Sequence, residues 1–250
     1  MPKFFVKSNQ INENTINIVG TDVNHISNVL RLKVDDEIQV CNEDTGVNYN
    51  TKIVELNKEF VKCNIFEKIQ SNAEAAVHIN ILQGLPKAEK MELIIQKCTE
   101  LGVKEITPVE MERCIVKLDN KSASKKQERW QKIAEVAAKQ SGRDIIPKIN
   151  NVINIKNICN MLKDYDIVIV PYEKERDNTF KEILKNLPKK NLKIAIVIGP
   201  EGGFEEKEIK QLEENNCKIV TLGNRILRTE TVAMAMTSVI LYELDDFGGV

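Results

Sequence analysis

Apolar and polar residues alternate along the first quarter of the chain. From Lys3 to about Lys68, short segments such as NTINIVG, DEIQVCNE and EFVKCNIFEKI tend to have an apolar residue at every second position. A period of two is typical of strands with one exposed face. One helical segment, TDVNHISNVLRL, interrupts the strands. The pattern predicts a small strand-rich domain over residues 1–72, which ends in the polar linker QSNAEAA.

The pattern changes in residues 73–250, where apolar runs alternate with amphipathic segments. DYDIVIVPYE, LKIAIVIGPEGG and KIVTLG are rich in Ile and Val without alternation, as expected for strands that are covered on both faces. VHINILQGL and EITPVEM are predicted strands as well. Helical patterns such as KKQERWQKIAEVAAKQSG and RTETVAMAMTSVILYEL lie between and after them. This order predicts an α/β domain with a mostly parallel sheet.

Composition and charge narrow the class of protein. The 250 residues are 42% hydrophobic and 29% charged, which is ordinary for a soluble globular protein. No apolar run reaches the roughly 20 residues of a membrane span, and MPKFFV is followed by a polar stretch rather than a signal sequence. We therefore expect a cytoplasmic protein without a membrane partner. The net charge of −1 means that any nucleic acid would have to bind a local basic patch.

The cysteines and histidines give no pattern of metal ligands. The six cysteines are scattered without a CxxC pair, and the chain has only two histidines. Scattered cysteines in a cytoplasmic protein are most often buried and reduced. We predict no metal site.

The glycine-rich stretch VIGPEGGFEEKEI follows a predicted strand, where ligands bind in open parallel sheets. Its glycines do not have the spacing of a phosphate-binding or dinucleotide-binding loop. Glu201 and Glu205 would repel a polyphosphate at the start of the following helix. The loop suits a nucleoside that carries an ammonium or sulfonium group. The alternative is a tight turn in which Phe204 packs and the carboxylates only favour the helix dipole.

A second stretch, LGNRILRTETVAM, follows another predicted strand. Arg225 and Arg228 flank two apolar residues and lie near Glu230. Packing or solvation alone explains this combination poorly, although the arginines could simply pair with surface acids. We expect Thr229 or Thr231 to cap the final helix.

Together these stretches resemble the RsmE family of ribosomal RNA methyltransferases in the SPOUT superfamily. The resemblance continues through HISNVLRLKVDDEI, LPKAEKMELIIQKCTELGV, MERCIVK and ERWQKIAEVAAKQSGRDIIPKI, and so covers nearly the whole chain. It implies transfer of a methyl group from S-adenosylmethionine to N3 of one uridine in the decoding region of 16S ribosomal RNA, free or within the small ribosomal subunit. It also implies a PUA-like barrel over 1–72 and a homodimeric, trefoil-knotted methyltransferase domain over 73–250.

The resemblance implies roles for particular residues. Those expected to surround the cofactor are Pro171, Ile198, Gly199, Glu201, Gly202, Gly203, Leu222, Gly223, Ile226 and Leu227. Those expected to bind RNA are His25, Arg31, Arg113, Gln140 and Arg143. Because N3 of uridine must lose a proton, we expect two catalytic residues: Arg228 stabilises the developing uracil anion, and Glu230 orients Arg228 or relays the proton.

The last helical segment, TVAMAMTSVILYEL, is apolar on more than one face. In a monomer it is expected to expose Met234, Met236 or Leu241, which favours a homodimer. Two other functions stay open at this point: an RNA-binding or ribosome-assembly factor without turnover, and an enzyme that uses another adenosine-containing ligand.

Overall fold

A computed structural model describes residues 1–70, 73–188 and 192–244 of the chain. It divides into two compact units, one of residues 1–74 and 138–146 and the other of residues 75–137 and 147–250. The division at residue 74 lies close to the predicted linker. The prediction assigned 138–146 to the second domain, whereas the structure places this segment in the first unit.

The first unit contains a five-stranded sheet in the order β1-β3-β4-β5-β2. Its strands are β1 (Lys3–Val6), β2 (Thr15–Val19), β3 (Glu37–Asn42), β4 (Asn48–Leu56) and β5 (Phe60–Ile69). β1 pairs with β3 in parallel, and the other pairs are antiparallel. The predicted alternation is realised in β2, where Ile16 and Ile18 are buried and the residues between and beside them are not.

The predicted helix TDVNHISNVLRL is only partly realised. Helix α1 (Thr21–Asn24) gives way at once to a π-helical turn over His25–Val29, in which the Leu30 amide donates to the His25 carbonyl at 2.8 Å. Arg31 then adopts a left-handed backbone conformation with φ 55°. Because L side chains are strained there, the helix ends before the predicted Leu32.

Segment 138–146 is bound to the first unit by buried charges. The Lys3 ammonium lies against the Asp144 carboxylate, and both side chains are at most 6% exposed. Asn48 Nδ2 donates to the same carboxylate at 2.7 Å. Arg143 pairs with Glu74 at 2.6 Å. A buried ion that loses its partner is costly, so these pairs tie the segment to the strands of the first unit.

The second unit contains an entirely parallel sheet in the order β12-β10-β11-β6-β7-β8, with β9 paired to β7. Its strands are β6 (His78–Gly84), β7 (Glu105–Glu110), β8 (Lys148–Ile149), β9 (Ile153–Asn154), β10 (Ile167–Pro171), β11 (Lys193–Ile198) and β12 (Lys218–Val220). In the central strand β11 every residue after Lys193 is buried. The prediction of a parallel α/β sheet is confirmed.

Six helices accompany the strands of the second unit in the described part of the chain. They are α2 (Lys90–Leu101), α3 (Asn120–Gln140, whose last three residues belong to the first unit), α4 (Ile158–Leu162), α5 (Phe180–Lys185), α6 (Glu206–Glu214) and α7 (Thr229–Glu243). All helices in the described ranges are too short or too polar to cross a bilayer.

The expectation about the last helix was wrong in part. Met236 and Leu241 are fully buried in this single chain, because α7 packs against α2, and Met234 is half-buried. Large apolar side chains are instead exposed at Val239 and Tyr242.

Candidate active site

A cavity of about 660 Å³ lies in the second unit at the carboxyl ends of β10, β11 and β12. These strands are neighbours in the sheet, so the loops that follow them meet at one edge. We call residues 199–204 the glycine loop and residues 222–228 the arginine loop. Every residue predicted to surround a cofactor lines this cavity, namely Pro171, Ile198, Gly199, Glu201, Gly202, Gly203, Leu222, Gly223, Ile226 and Leu227.

The glycine loop is a tight turn in which side chains added at the glycines would be crowded. A Cβ atom on Gly199 would lie 3.2 Å from the Phe204 ring, and one on Gly203 would lie 3.1 Å from Glu173 Oε1. Gly203 also has φ +69°, which favours glycine. Phe204 is buried, as the alternative of a packed turn predicted. The same turn lines the cavity, so it combines a structural role with a place for a ligand.

Arg113 fastens the glycine loop from outside the cavity. Its guanidinium donates to the Gly202 carbonyl at 2.9 Å and to Glu205 Oε1 at 2.8 Å. The hydrogen bond from Arg113 lowers the pKa of the Glu205 carboxyl below its ordinary value. Arg113 was predicted to bind RNA, but in this structure its guanidinium is used within the chain.

Lys90, the first residue of α2, carries an ammonium group that connects two carboxylates at the cavity. It lies 3.1 Å from Glu201 Oε1 and 3.4 Å from Glu230 Oε2. Partial burial opposes ionisation of Glu201, but hydrogen bonds from its own amide, Lys90 and the Lys87 amide outweigh this and lower the pKa of Glu201. The hydrogen bond to Glu201 in turn raises the pKa of Lys90. This corner of the cavity therefore holds two carboxylates and one cation.

The arginine loop is much more exposed than the glycine loop. Ile226 is 88% exposed, and Gly223, with φ +99°, has open space around it. Arg225 and Arg228 are exposed, and neither forms an ion pair within the part of the chain that the structure describes. The alternative that they pair with surface acids is therefore wrong for the described residues. Within the same residues Glu230 pairs with Lys90 and not with Arg228, so the expectation that Glu230 orients Arg228 was also wrong.

Thr229 connects the start of α7 to the glycine loop. Its hydroxyl donates to the Gly199 carbonyl at 2.7 Å and accepts from Gln83 Nε2 at 2.8 Å. Arg228 is the N-cap of α7, and its side chain makes no capping hydrogen bond. The expectation that Thr229 or Thr231 caps this helix was wrong, because the Thr229 hydroxyl is committed to the neighbouring loop.

The residues predicted to bind RNA belong to both units, with Arg113 in the second and the other four in the first. His25, Arg31 and Gln140 belong to the first unit and are exposed. The His25 ring packs edge-on against Phe4, with ring centroids 6.0 Å apart. These side chains are accessible to a partner.

Arg143 is the predicted RNA-binding residue whose position argues against that role. Its side chain is 3% exposed and forms the ion pair with Glu74. A guanidinium that is buried and paired in this way cannot reach a phosphate without breaking the pair. We therefore correct its assignment to a structural residue of the first unit.

Lys90 and Thr229 line the cavity, and Gln83 supports Thr229, but none of the three was predicted to take part in the site. Gln83 lies within β6, and Lys90 follows this strand at the start of α2. β6 pairs with β11. The carboxyl end of β6 therefore meets the same edge of the sheet as the loops that were singled out. Counting this strand end among the candidates could have found Lys90.

Comparison with known proteins gives the class of protein that has this fold and site. A family described as the RNA methyltransferase domain matches residues 73–241, and one described as the RNA methyltransferase PUA domain matches residues 19–66. The chain thus belongs to the RNA methyltransferases that carry an accompanying PUA domain.

Individual relatives make the family more specific. The chain is 38% identical to ribosomal RNA small subunit methyltransferase E of Bacillus subtilis, over 98% of each chain. The structure is similar to that enzyme from Neisseria gonorrhoeae bound to S-adenosylmethionine, with 28% identity, TM-score 0.84 and 97% of each chain covered. It is also similar to a Legionella pneumophila protein in complex with the cofactor SAM, with 28% identity, TM-score 0.85 and 96% of each chain covered. The chain belongs to the ribosomal RNA small subunit methyltransferase E family.

Proposed function

We propose that this protein transfers a methyl group from S-adenosylmethionine to N3 of a specific uridine in the decoding region of 16S ribosomal RNA. Use of this cofactor and of an RNA acceptor follows from the family. The acceptor atom, the nucleotide, the cytoplasmic location and the trefoil knot of the second unit belong to the proposal. The observation that supports it most is the cavity at three parallel strand ends, with the glycine loop on its wall and Arg228 at its rim.

The residues of the cavity fit S-adenosylmethionine, which would supply a methyl group on a sulfonium centre. Glu173 and Glu201 place carboxylates at the cavity, where they suit the sulfonium, and the cations of Lys90, Arg176, Arg225 and Arg228 line the same cavity, where they suit the carboxylate of the cofactor. Ile198, Leu222 and Leu227 give it an apolar wall. The residues that would hold the cofactor are Pro171, Ile198, Gly199, Glu201, Gly202, Gly203, Leu222, Gly223, Ile226 and Leu227.

In the proposed reaction Arg228 and Glu230 act on the uracil. N3 becomes nucleophilic when its proton leaves, and the negative charge then spreads onto O2 and O4. Arg228 is exposed at the cavity and unpaired among the described residues, so its guanidinium is available to stabilise that charge. Glu230, the second residue of α7, relays the proton.

The small ribosomal subunit is the proposed partner, with His25, Arg31 and Gln140 as first contacts for RNA. All three are exposed on the first unit. A homodimer is also proposed, because Val239 and Tyr242 leave apolar surface exposed on α7. No metal is required, since the sulfonium is a leaving group already.

The first test is methyl transfer from labelled S-adenosylmethionine to small ribosomal subunits that lack base methylation, followed by nucleoside digestion and mass analysis. We expect 3-methyluridine. Transfer to another atom or nucleotide would correct the acceptor. Cofactor binding without transfer would favour an assembly factor, and loss of cofactor binding would favour a different adenosine-containing ligand.

A further inference from the structure

A single cation joins three separate elements at the edge of the cavity. The Lys90 ammonium lies at the start of α2, Glu201 belongs to the glycine loop, and Glu230 belongs to the first turn of α7. The three side chains are 30%, 28% and 13% exposed, so water screens their charges only partly. Lys90 therefore keeps two like charges close together beside the place of reaction.

The two carboxylates depend on Lys90 to different degrees. Glu201 also accepts hydrogen bonds from the Lys87 amide, at 3.1 and 3.4 Å. Glu230 Oε2 is buried and accepts no hydrogen bond from any described residue. A buried carboxylate oxygen without a donor is unfavourable unless a counter-charge compensates it. Lys90 supplies that charge to Glu230, whereas Glu201 has a second support.

Glu230 has no second ionic partner among the other charged groups that the structure describes near this corner. Within the described residues they form no ion pair with Glu230. Those that line the cavity or flank Lys90 along the chain are Glu173, Arg176, Arg225, Arg228, Lys87 and Glu89.

We propose that Lys90 is a positioning residue for methyl transfer: its ammonium fixes the position of the Glu230 side chain, directed at the uracil, while the glycine loop binds the cofactor by its other contacts. This inference rests on the proposed function. It predicts that loss of Lys90 affects turnover far more than cofactor binding.

The test compares Lys90→Met, Lys90→Arg and Lys97→Met in the full-length protein. Lys97 is the matched control, since it lies on the same helix and loses only its partly buried pair with Glu100. We expect K90M to lower kcat by about tenfold or more while the Kd of S-adenosylhomocysteine, measured by calorimetry, changes less than about threefold. K90R should recover part of kcat, because it keeps the charge, and K97M should match the wild type.

A double-mutant cycle with Glu230→Gln then shows whether Lys90 acts through Glu230. In the E230Q background K90M should change kcat less than about twofold, and the effects of the two substitutions on the free energy of unfolding should fail to add. Equal losses of kcat in both backgrounds, or a loss of cofactor binding as large as the loss of kcat, would overturn the proposal. If wild-type protein does not methylate small subunits, the proposed function fails, while the unfolding cycle, which needs no substrate, still decides whether Lys90 supports Glu230.

Discussion

The two loops that line the cavity are held in different ways. The glycine loop is fixed by the Arg113 guanidinium, by the Lys90 ammonium through Glu201, and by the Thr229 hydroxyl. The arginine loop is fastened by a hydrogen bond from the Gly223 amide to Thr221 Oγ1, and it leaves apolar and cationic side chains exposed. We infer that the glycine loop is a pre-formed wall, whereas the arginine loop gains its contacts from the ligand and the RNA.

The largest effect on cofactor binding and stability is expected from Gly84→Ala, because the added methyl group would displace the glycine loop. A Cβ atom on Gly84 would lie 2.7 Å from the backbone nitrogen of Pro200, which cannot move without the glycine loop. We expect calorimetry to show at least a hundredfold weaker binding of S-adenosylhomocysteine, and unfolding in denaturant to show a loss of about 1–3 kcal/mol.

Gly223→Ala is the matched substitution in the arginine loop. It introduces backbone strain at φ +99°, but its Cβ atom meets nothing within 4 Å. A loop that is already loose can relax, so the loss of stability should be about 1 kcal/mol or less. Equal damage from both substitutions would contradict the contrast between a rigid and a loose wall.

Arg228→Lys tests whether the arginine loop acts on the RNA that accepts the methyl group. Lysine keeps the charge but loses the planar fork that can contact a delocalised anion. We expect kcat for 3-methyluridine formation to fall by about tenfold or more, with the Kd of S-adenosylhomocysteine unchanged. Arg225→Lys is the control in the same loop. Full turnover in R228K would remove Arg228 from the proposed chemistry.

A smaller effect is expected from pH, which changes the stability of the fold through Glu201 in the glycine loop. Partial burial opposes ionisation of Glu201, but hydrogen bonds, including those from Lys90 and Lys87, lower the pKa of Glu201 in the folded protein. A lowered pKa stabilises the fold at pH values above the ordinary value for glutamate, and the contribution is lost as the pH falls through the folded pKa.

Thermal unfolding of wild type and Glu201→Gln between pH 7 and acid pH measures this contribution. The melting temperature of wild type should fall more steeply below the ordinary glutamate pKa of 4.5 than that of E201Q. Glu128→Gln, at an exposed position of α3, is the control and should follow wild type. Parallel curves for all three proteins would show that Glu201 does not secure the wall.

Local patterns were enough to predict much of the fold and of the cavity. The unalternating runs of β10 and β11 indicated a parallel sheet, and a glycine turn at a strand end indicated a ligand loop. These signals are carried by neighbouring residues, so they can be read without knowing the tertiary structure. Lys90 gave no such signal, because its role depends on β6 lying beside β11 in the sheet.

Other errors have the same physical origin. Arg143 was assigned to RNA because it lies in a motif that resembles the family and because arginine can bind phosphate in a fork, whereas the fold brings Glu74 to it. The helix after Thr21 was predicted too long because nothing local reports the left-handed turn at Arg31. Met236 and Leu241 were expected at the surface because the packing of α7 on α2 joins residues far apart in the chain.

The burial of Asp144 beside Lys3 also has a consequence for the order of events during synthesis. The two residues are separated by 141 positions, and the segment that carries Asp144 belongs to the first unit. The amino-terminal residues therefore leave the ribosome long before their partner has been translated. The first unit therefore cannot complete its fold before the second unit begins to be made, because segment 138–146 is translated only after β6, β7 and most of α3.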